Sequence, residues 1–143
     1  MAMIKDKSGP VMGFRAIAIL VALLLLLQPI LIGQYLAHPE HDGWKDAHAM
    51  VGDILILLTL IMVGLAFLAR RTFGIGMVFH CLALFVLVFI QSFLGHAASD
   101  GHPTPKGIHV PLGVLLFGMG IFVPFLSFYD LKAQRMPNRP ETG

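Results

Sequence analysis

Two histidines stand at the start of very apolar stretches, and each has a glycine four residues later. His48 opens HAMVGDILILL, which contains Gly52, and His109 opens HVPLGVLLFGM, which contains Gly113. Residues four apart share one face of a helix, so each imidazole would lie one turn above a residue without a side chain. Two neutral imidazoles on opposite sides of a flat ring can be the axial ligands of a haem iron. The spacing therefore predicts that His48 and His109 bind haem b, provided that the fold brings them together.

The composition predicts the elements that must position these histidines. The chain has 143 residues, of which 57% are hydrophobic and 13% charged, whereas about 25% of residues are charged in soluble domains. A helix of about 20 apolar residues crosses a bilayer core. We therefore expect a single all-α membrane domain over residues 1–143, with a polar cytoplasmic tail over 130–143 and with four helices, at about residues 14–36, 47–69, 75–95 and 108–129.

Four spans joined by short loops predict an up-down-up-down bundle with the second and fourth helices on one diagonal. Lysine and arginine concentrate in cytoplasmic segments. Of the ten in this chain, eight lie on the side of the termini, and only Lys45 and Lys106 lie in the outer loops. This predicts that both termini are cytoplasmic, in a bacterial inner membrane. The sequence pI of about 8.9 then reflects topology and predicts no nucleic-acid partner.

The sequence also repeats a motif ahead of each histidine. Gln28 and Gly33 in QPILIG are echoed by Gln91 and Gly95 in QSFLG, and the glutamine precedes its histidine by 20 residues in one half and 18 in the other. This predicts an internal duplication of a two-helix unit, which in membrane proteins places a site at the pseudo-symmetry axis. Gln28 and Gln91 would hydrogen-bond a haem substituent or a ligand histidine, or else serve only as interhelical contacts.

Two further pairs of residues belong to the predicted cofactor site. Gly52 and Gly113 would leave room for the edge of a porphyrin, or simply allow close helix packing. Lys45 and Lys106 each precede a candidate ligand by three residues. They would pair with haem propionates at the outer surface, or be ordinary loop charges.

Other polar residues in and near the spans suggest additional roles. His80 lies within the third helix, where we expect a structural or quinone-contacting role. Asp53 is about 140° around the helix from His48, so it should face the bundle interior or a partner rather than the haem. The outer loops contain several histidines that would form a copper or zinc site or remain solvated: His38, His41, His96 and His102.

With these motifs the chain resembles one four-helix half of the haem A synthase family. The nearest match is QSFLG at residues 91–95 followed by HVPLGVLLFG at residues 109–118, and the first half matches through Gln28, Gly33, His48 and Gly52. The resemblance implies a four-helix bundle with His48 and His109 as haem ligands. Members of that family have two such bundles, whereas this chain has one and lacks a cysteine pair in its first outer loop. It is therefore more similar to a small half-bundle relative than to an enzyme that makes haem A.

Together these patterns predict a membrane-embedded b-type haem protein that acts in electron transfer or in the handling of haem or quinone. The expected partners are the lipid bilayer, a second copy of the chain or a respiratory membrane protein, and a quinone. Two alternatives remain open. In the first, the chain is a structural or accessory membrane subunit without haem. In the second, it is a copper- or zinc-binding membrane protein that uses the outer-loop histidines.

Overall fold

Helices make up nearly all of the computed structural model, which describes residues 2–3, 6–99 and 103–130. In chain order they are α1 (Gly9–Ala37), α2 (Gly43–Leu68), the single turn α3 (Arg70–Phe73), α4 (Ile75–Ser99) and α5 (Pro103–Phe128). A two-residue antiparallel pair, β1 (Ala2–Met3) with β2 (Tyr129–Asp130), lies beside the end of α5. The four long helices have the length and composition to cross a membrane. The prediction of a helical, four-span membrane protein is confirmed to that extent.

The helix ends differ from the sequence prediction because an apolar run marks the length of the hydrocarbon and not the length of the helix. Helix α1 begins at Gly9 and α2 at Gly43, four to five residues before the predicted starts near residues 14 and 47. The outer loop predicted for residues 96–107 is largely helical, since α4 ends at Ser99 and α5 begins at Pro103. Proline is tolerated in a first helical turn, where its missing N–H has no intrahelical partner to lose. Of the predicted polar tail, residues 131–143 lie outside the described residues.

The four long helices form a bundle in which α1 and α4 each pack against both α2 and α5. Helices α2 and α5 therefore lie on one diagonal, which is the arrangement that the two candidate ligands require. Each long helix contributes one large side chain to the core, and none of these is more than 1% exposed: Phe14, Met62, Leu84 and Leu116. Because lipid tails are as apolar as these side chains, close packing rather than exclusion of water holds such a bundle together.

The outward faces of the bundle are apolar as well. Leu23 is 58% exposed, Phe93 70% and Val114 70%, and they belong to three different helices. A helix that is hydrophobic on all sides is typical of a membrane span. The exposed side chains therefore fit a bilayer environment around the bundle.

Polar groups join the helix ends at the end of the bundle that contains the start of α1. The Arg15 guanidinium donates to the Ser127 carbonyl at 3.0 and 3.3 Å and to the Asp6 carbonyl at 3.0 Å, and it lies 4.7 Å from the Phe128 ring centre. The Asp6 carboxylate accepts a hydrogen bond from the Thr72 hydroxyl at 2.6 Å and another from the Ser8 amide at 2.8 Å. These bonds connect the start of α1 to the end of α5 and to the turn α3.

Candidate functional site

The structure brings the two candidate ligands next to each other. His48 lies five residues after the start of α2 and His109 six residues after the start of α5, so they lie at nearly the same level of the bundle. Their ring centres are 6.2 Å apart and the ring planes are inclined by 71°. Both side chains are half-buried.

Each histidine ring is held by a backbone carbonyl of the neighbouring helix. His48 Nδ1 lies 3.2 Å from the Gln28 carbonyl, and His109 Nδ1 lies 3.0 Å from the Gln91 carbonyl. A carbonyl only accepts hydrogen bonds, so in a neutral ring Nδ1 carries the proton and donates it. Nε2 then keeps its lone pair. Metal-ligating histidines show this arrangement, because the second hydrogen bond fixes the tautomer and the ring orientation.

The glutamine side chains return a hydrogen bond to the same histidines. Gln28 Nε2 donates to the His48 carbonyl at 3.2 Å, and Gln91 Nε2 donates to the His109 carbonyl at 2.8 Å. The same reciprocal pair therefore occurs between α1 and α2 and between α4 and α5. The glutamines contact the candidate ligands, one of the two roles expected for them, but the bond that orients each ring comes from the glutamine backbone.

Both glutamines also present an acceptor atom that the protein does not satisfy. Oε1 of Gln28 and Oε1 of Gln91 are buried and have no hydrogen-bond partner among the described residues. Buried polar atoms in native proteins are nearly always paired with protein, water or ligand. Two such acceptors, in equivalent positions beside the histidines, are available to a hydrogen-bond donor such as water.

The glycines around the site make room for protein groups. A Cβ at Gly52 would lie 3.5 Å from Gln28 Nε2, and one at Gly113 would lie 3.1 Å from Gln91 Nε2. Gly113 therefore makes room for the Gln91 amide, whereas at Gly52 a Cβ would make only an ordinary van der Waals contact with the Gln28 amide. A Cβ at Gly95 would lie only 2.9 Å from His109 Cε1. Gly95 belongs to the repeated motif in the sequence, and the structure shows that it lies against the His109 ring.

The donor set and its geometry fit a metal that is held between two imidazoles. Ring nitrogens about 2 Å on either side of one metal place the ring centres roughly 6 Å apart, and the observed separation is 6.2 Å. The 71° between planes is compatible with this, since two nitrogen donors to one metal require no particular angle between their ring planes. Among residues 6–99 and 103–130 no group of three or more His, Cys, Asp or Glu could hold a metal ion.

The two lysines lie at the same end of the bundle as the histidines. Lys45 is half-buried and Lys106 is exposed, and each lies three residues before its histidine, on the same side of the helix. In the described part of the chain neither ammonium group forms an ion pair or a hydrogen bond. The predicted contact with propionates thus stays a prediction.

The remaining polar residues lie apart from the histidine pair. Asp53 is exposed and faces a neighbouring helix of the bundle, since its carboxylate accepts a hydrogen bond from Ser92 of α4 at 3.1 Å. His38 and His41 are exposed and lie 3.6 and 3.7 Å from the Glu40 carboxylate. His96 bonds the Ser92 carbonyl, and His102 lies outside the described residues.

Comparison with known proteins adds no relative: no protein-family model, curated protein or solved structure matches the chain.

Proposed function

We propose that the chain is a b-type haem protein in which His48 and His109 are the axial ligands. One observation carries the proposal. Two glutamine–histidine pairs, on opposite sides of the bundle, hold two imidazoles with Nδ1 bonded and Nε2 free, at the separation that one metal between them requires.

The expected role is electron transfer. Haem supplies a one-electron redox centre, and with both axial positions filled by histidine the iron has no open position for oxygen chemistry. The chain's own residues would orient the rings through the Gln28 and Gln91 carbonyls, which raises the basicity of the ligating nitrogens. Lys45 and Lys106 would neutralise the propionates at the outer surface.

The orientation in the membrane belongs to the same proposal. Gln28, near the end of α1, meets His48, near the start of α2, and Arg15, near the start of α1, meets the carbonyl of Ser127, near the end of α5. These contacts support an up-down-up-down bundle. The lysine and arginine distribution supports cytoplasmic termini in a bacterial inner membrane. The repeated motifs support an internal duplication and the resemblance to half of the haem A synthase bundle.

Absorbance spectra of the detergent-purified protein test the proposal. Protein from haem-replete cells should show a Soret band and, after reduction with dithionite, a sharp α band. His48→Ala and His109→Ala should each lose the α band, because one missing ligand breaks six-coordination. Imidazole added to His48→Gly should restore it. His41→Ala is the matched control, since that ring is exposed in the first outer loop, and it should keep the wild-type spectrum.

The main alternative is a structural or accessory subunit, and the same hydrogen bonds favour it. Each glutamine–histidine pair joins two helices whether or not a metal is bound. A colourless wild-type protein whose thermal stability falls in His48→Ala would support this alternative and contradict haem binding. Copper or zinc found by metal analysis, and lost when His38 and His41 are both replaced by alanine, would support the outer-loop metal site.

A further inference from the structure

His80 on α4 carries a polar group that the candidate haem site does not use. It lies eleven residues before Gln91 on the same helix, which is about 16 Å along the axis. His80 Nε2 lies 3.4 Å from the Met119 carbonyl of α5, and the other ring nitrogen has no hydrogen-bond partner among the described residues. Since Nε2 faces a carbonyl, it is the donor of the neutral ring and Nδ1 is left as an acceptor.

This ring lines an open groove on the outer surface of the bundle. The groove has a volume of about 470 Å³ and is otherwise apolar, being lined by Val114, Leu115, Gly118, Met119 and Phe122. Leu115 is 53% and Phe122 55% exposed, so the groove opens sideways toward the lipid. An occupant would enter from the bilayer, and it would meet one polar contact, the His80 ring, on an otherwise apolar and open surface.

A row of aromatic rings continues from the groove along α5. The ring centres of Phe122 and Phe125 are 6.0 Å apart, and those of Phe125 and Tyr129 are 4.9 Å apart. These separations lie in the range of favourable aromatic pairs. The row leads from the groove to the end of α5, so it offers a continuous surface for a flat ring and its apolar tail.

We propose that this groove binds a lipid-soluble hydroquinone, the reduced form of a membrane quinone. The hydroxyl group of a quinol would donate to His80 Nδ1, while its ring and tail lie against Phe122 and the aromatic row. A phospholipid acyl chain has no donor and would leave the imidazole nitrogen unpaired in an apolar surrounding, which is unfavourable. The quinol as a redox partner rests on the proposed electron-transfer function, whereas its binding is a property of the groove alone.

The test measures binding through thermal unfolding and not through haem absorbance. Cys81 is the single cysteine and is 0% exposed, so a thiol-reactive fluorescent maleimide reports unfolding of the purified protein. The probe is decylubiquinol kept under argon, and decylbenzene is the comparison compound, because it has the ring and the tail without the hydroxyl groups. At about a hundredfold excess over its Kd, decylubiquinol should raise the unfolding midpoint by roughly 8 °C, and decylbenzene by much less.

Variants separate the groove from other binding surfaces. A Cβ at Gly118 has no atom within 4 Å and Gly118 lines the groove, so the larger side chain of Gly118→Leu should occupy the groove and abolish the shift. Gly64→Leu on α2, where a Cβ also meets open space, is the matched control and should keep it. His80→Leu should remove the difference between decylubiquinol and decylbenzene.

Three results would overturn the quinol site: equal shifts from both compounds in the wild type, a shift that persists in Gly118→Leu, or a hydroxyl preference that survives His80→Leu. Because unfolding is followed at Cys81, a colourless protein can still show the shift. A protein with normal haem bands can likewise show no shift of the unfolding midpoint with decylubiquinol. Failure of the groove proposal is thus distinguishable from failure of haem binding.

Discussion

At the scale of single residues, the two halves of the site resemble each other in their hydrogen bonds and differ in the space around the rings. Gln28 and Gln91 make the same two contacts to their histidines. Gly95 lies against the His109 ring, whereas a Cβ on Gly33, its counterpart in the repeated motif, would meet no atom within 4 Å. The chain therefore offers a matched pair of glycines with which to test the position of one ring.

Gly95→Ala should weaken haem binding because the new methyl group would lie 2.9 Å from His109 Cε1 and the ring would have to move. We expect haem affinity to fall about tenfold, which is the low end of the effect of groups that orient a ligand. Titration of apoprotein with haemin, followed at the Soret band, measures it. Gly33→Ala should bind as the wild type does, because Gly33 lies five rather than four residues after its glutamine and a Cβ there meets open space. Equal affinities in the two variants would contradict the assignment of His109 as a ligand.

The sequence predicted the participants at this scale but not their contacts. Composition and spacing identified both histidines, both glutamines and the glycines one turn below. The use of the Gln28 and Gln91 carbonyls to orient the rings depends on the relative height of neighbouring helices, which residue types do not encode. The exposed position of Asp53 likewise depends on how α2 turns against α4.

At the scale of elements, the end of the bundle opposite the histidines is held by the hydrogen bonds of Asp6 with Arg15, Thr72 and Ser8. The hydrogen bond from the Thr72 hydroxyl, followed by those from Ser8, lowers the pKa of the Asp6 carboxyl below its usual value of 3.8. A carboxyl whose pKa is lower in the folded protein stabilises the fold above its unfolded pKa. That contribution disappears as the pH falls through the folded pKa.

The unfolding midpoint of the wild type should therefore decrease when the pH is lowered from about 5 to about 3, as the link between α1 and α3 weakens. Thr72→Val should reduce this pH dependence because the strongest donor to Asp6 is gone. Scanning calorimetry of the protein in detergent measures the unfolding midpoint at each pH. Asp42→Asn is the control, since Asp42 is exposed and forms no cap hydrogen bond at the start of α2. If Thr72→Val keeps the full pH dependence, the Asp6–Thr72 bond does not link the two elements.

Helix number was predictable from hydropathy, but helix ends were not. Charge-free runs report the hydrocarbon thickness, and polar first turns such as the one from Gly43 to Asp46 extend the helix beyond it. Pro103 and Pro105 looked like loop residues in the sequence, yet they occupy the first turn of α5, where proline fits.

At the scale of the whole molecule, the order of the helices around the bundle, α1–α2–α4–α5, decides which histidines can approach each other. Short connections alone predicted that α2 and α5 would be diagonal, and this arrangement allows one ligand to come from each half of the chain. The lateral groove at His80 was not predictable, because it depends on which faces of α4 and α5 are left uncovered by the other helices.

The reciprocal glutamine–histidine pairs have a consequence for the history of the chain. Each pair is complete within two helices, yet one two-helix unit supplies only one ligand. An ancestral unit of that size would have needed a second copy of itself, related by a twofold axis, to hold a metal. In the proposed duplication, fusion of two copies would have freed the halves to diverge, and the position eleven residues before Gln28, which corresponds to His80, is Ile17. A quinol groove on one side of a symmetric clamp would be a feature that only the fused chain could acquire.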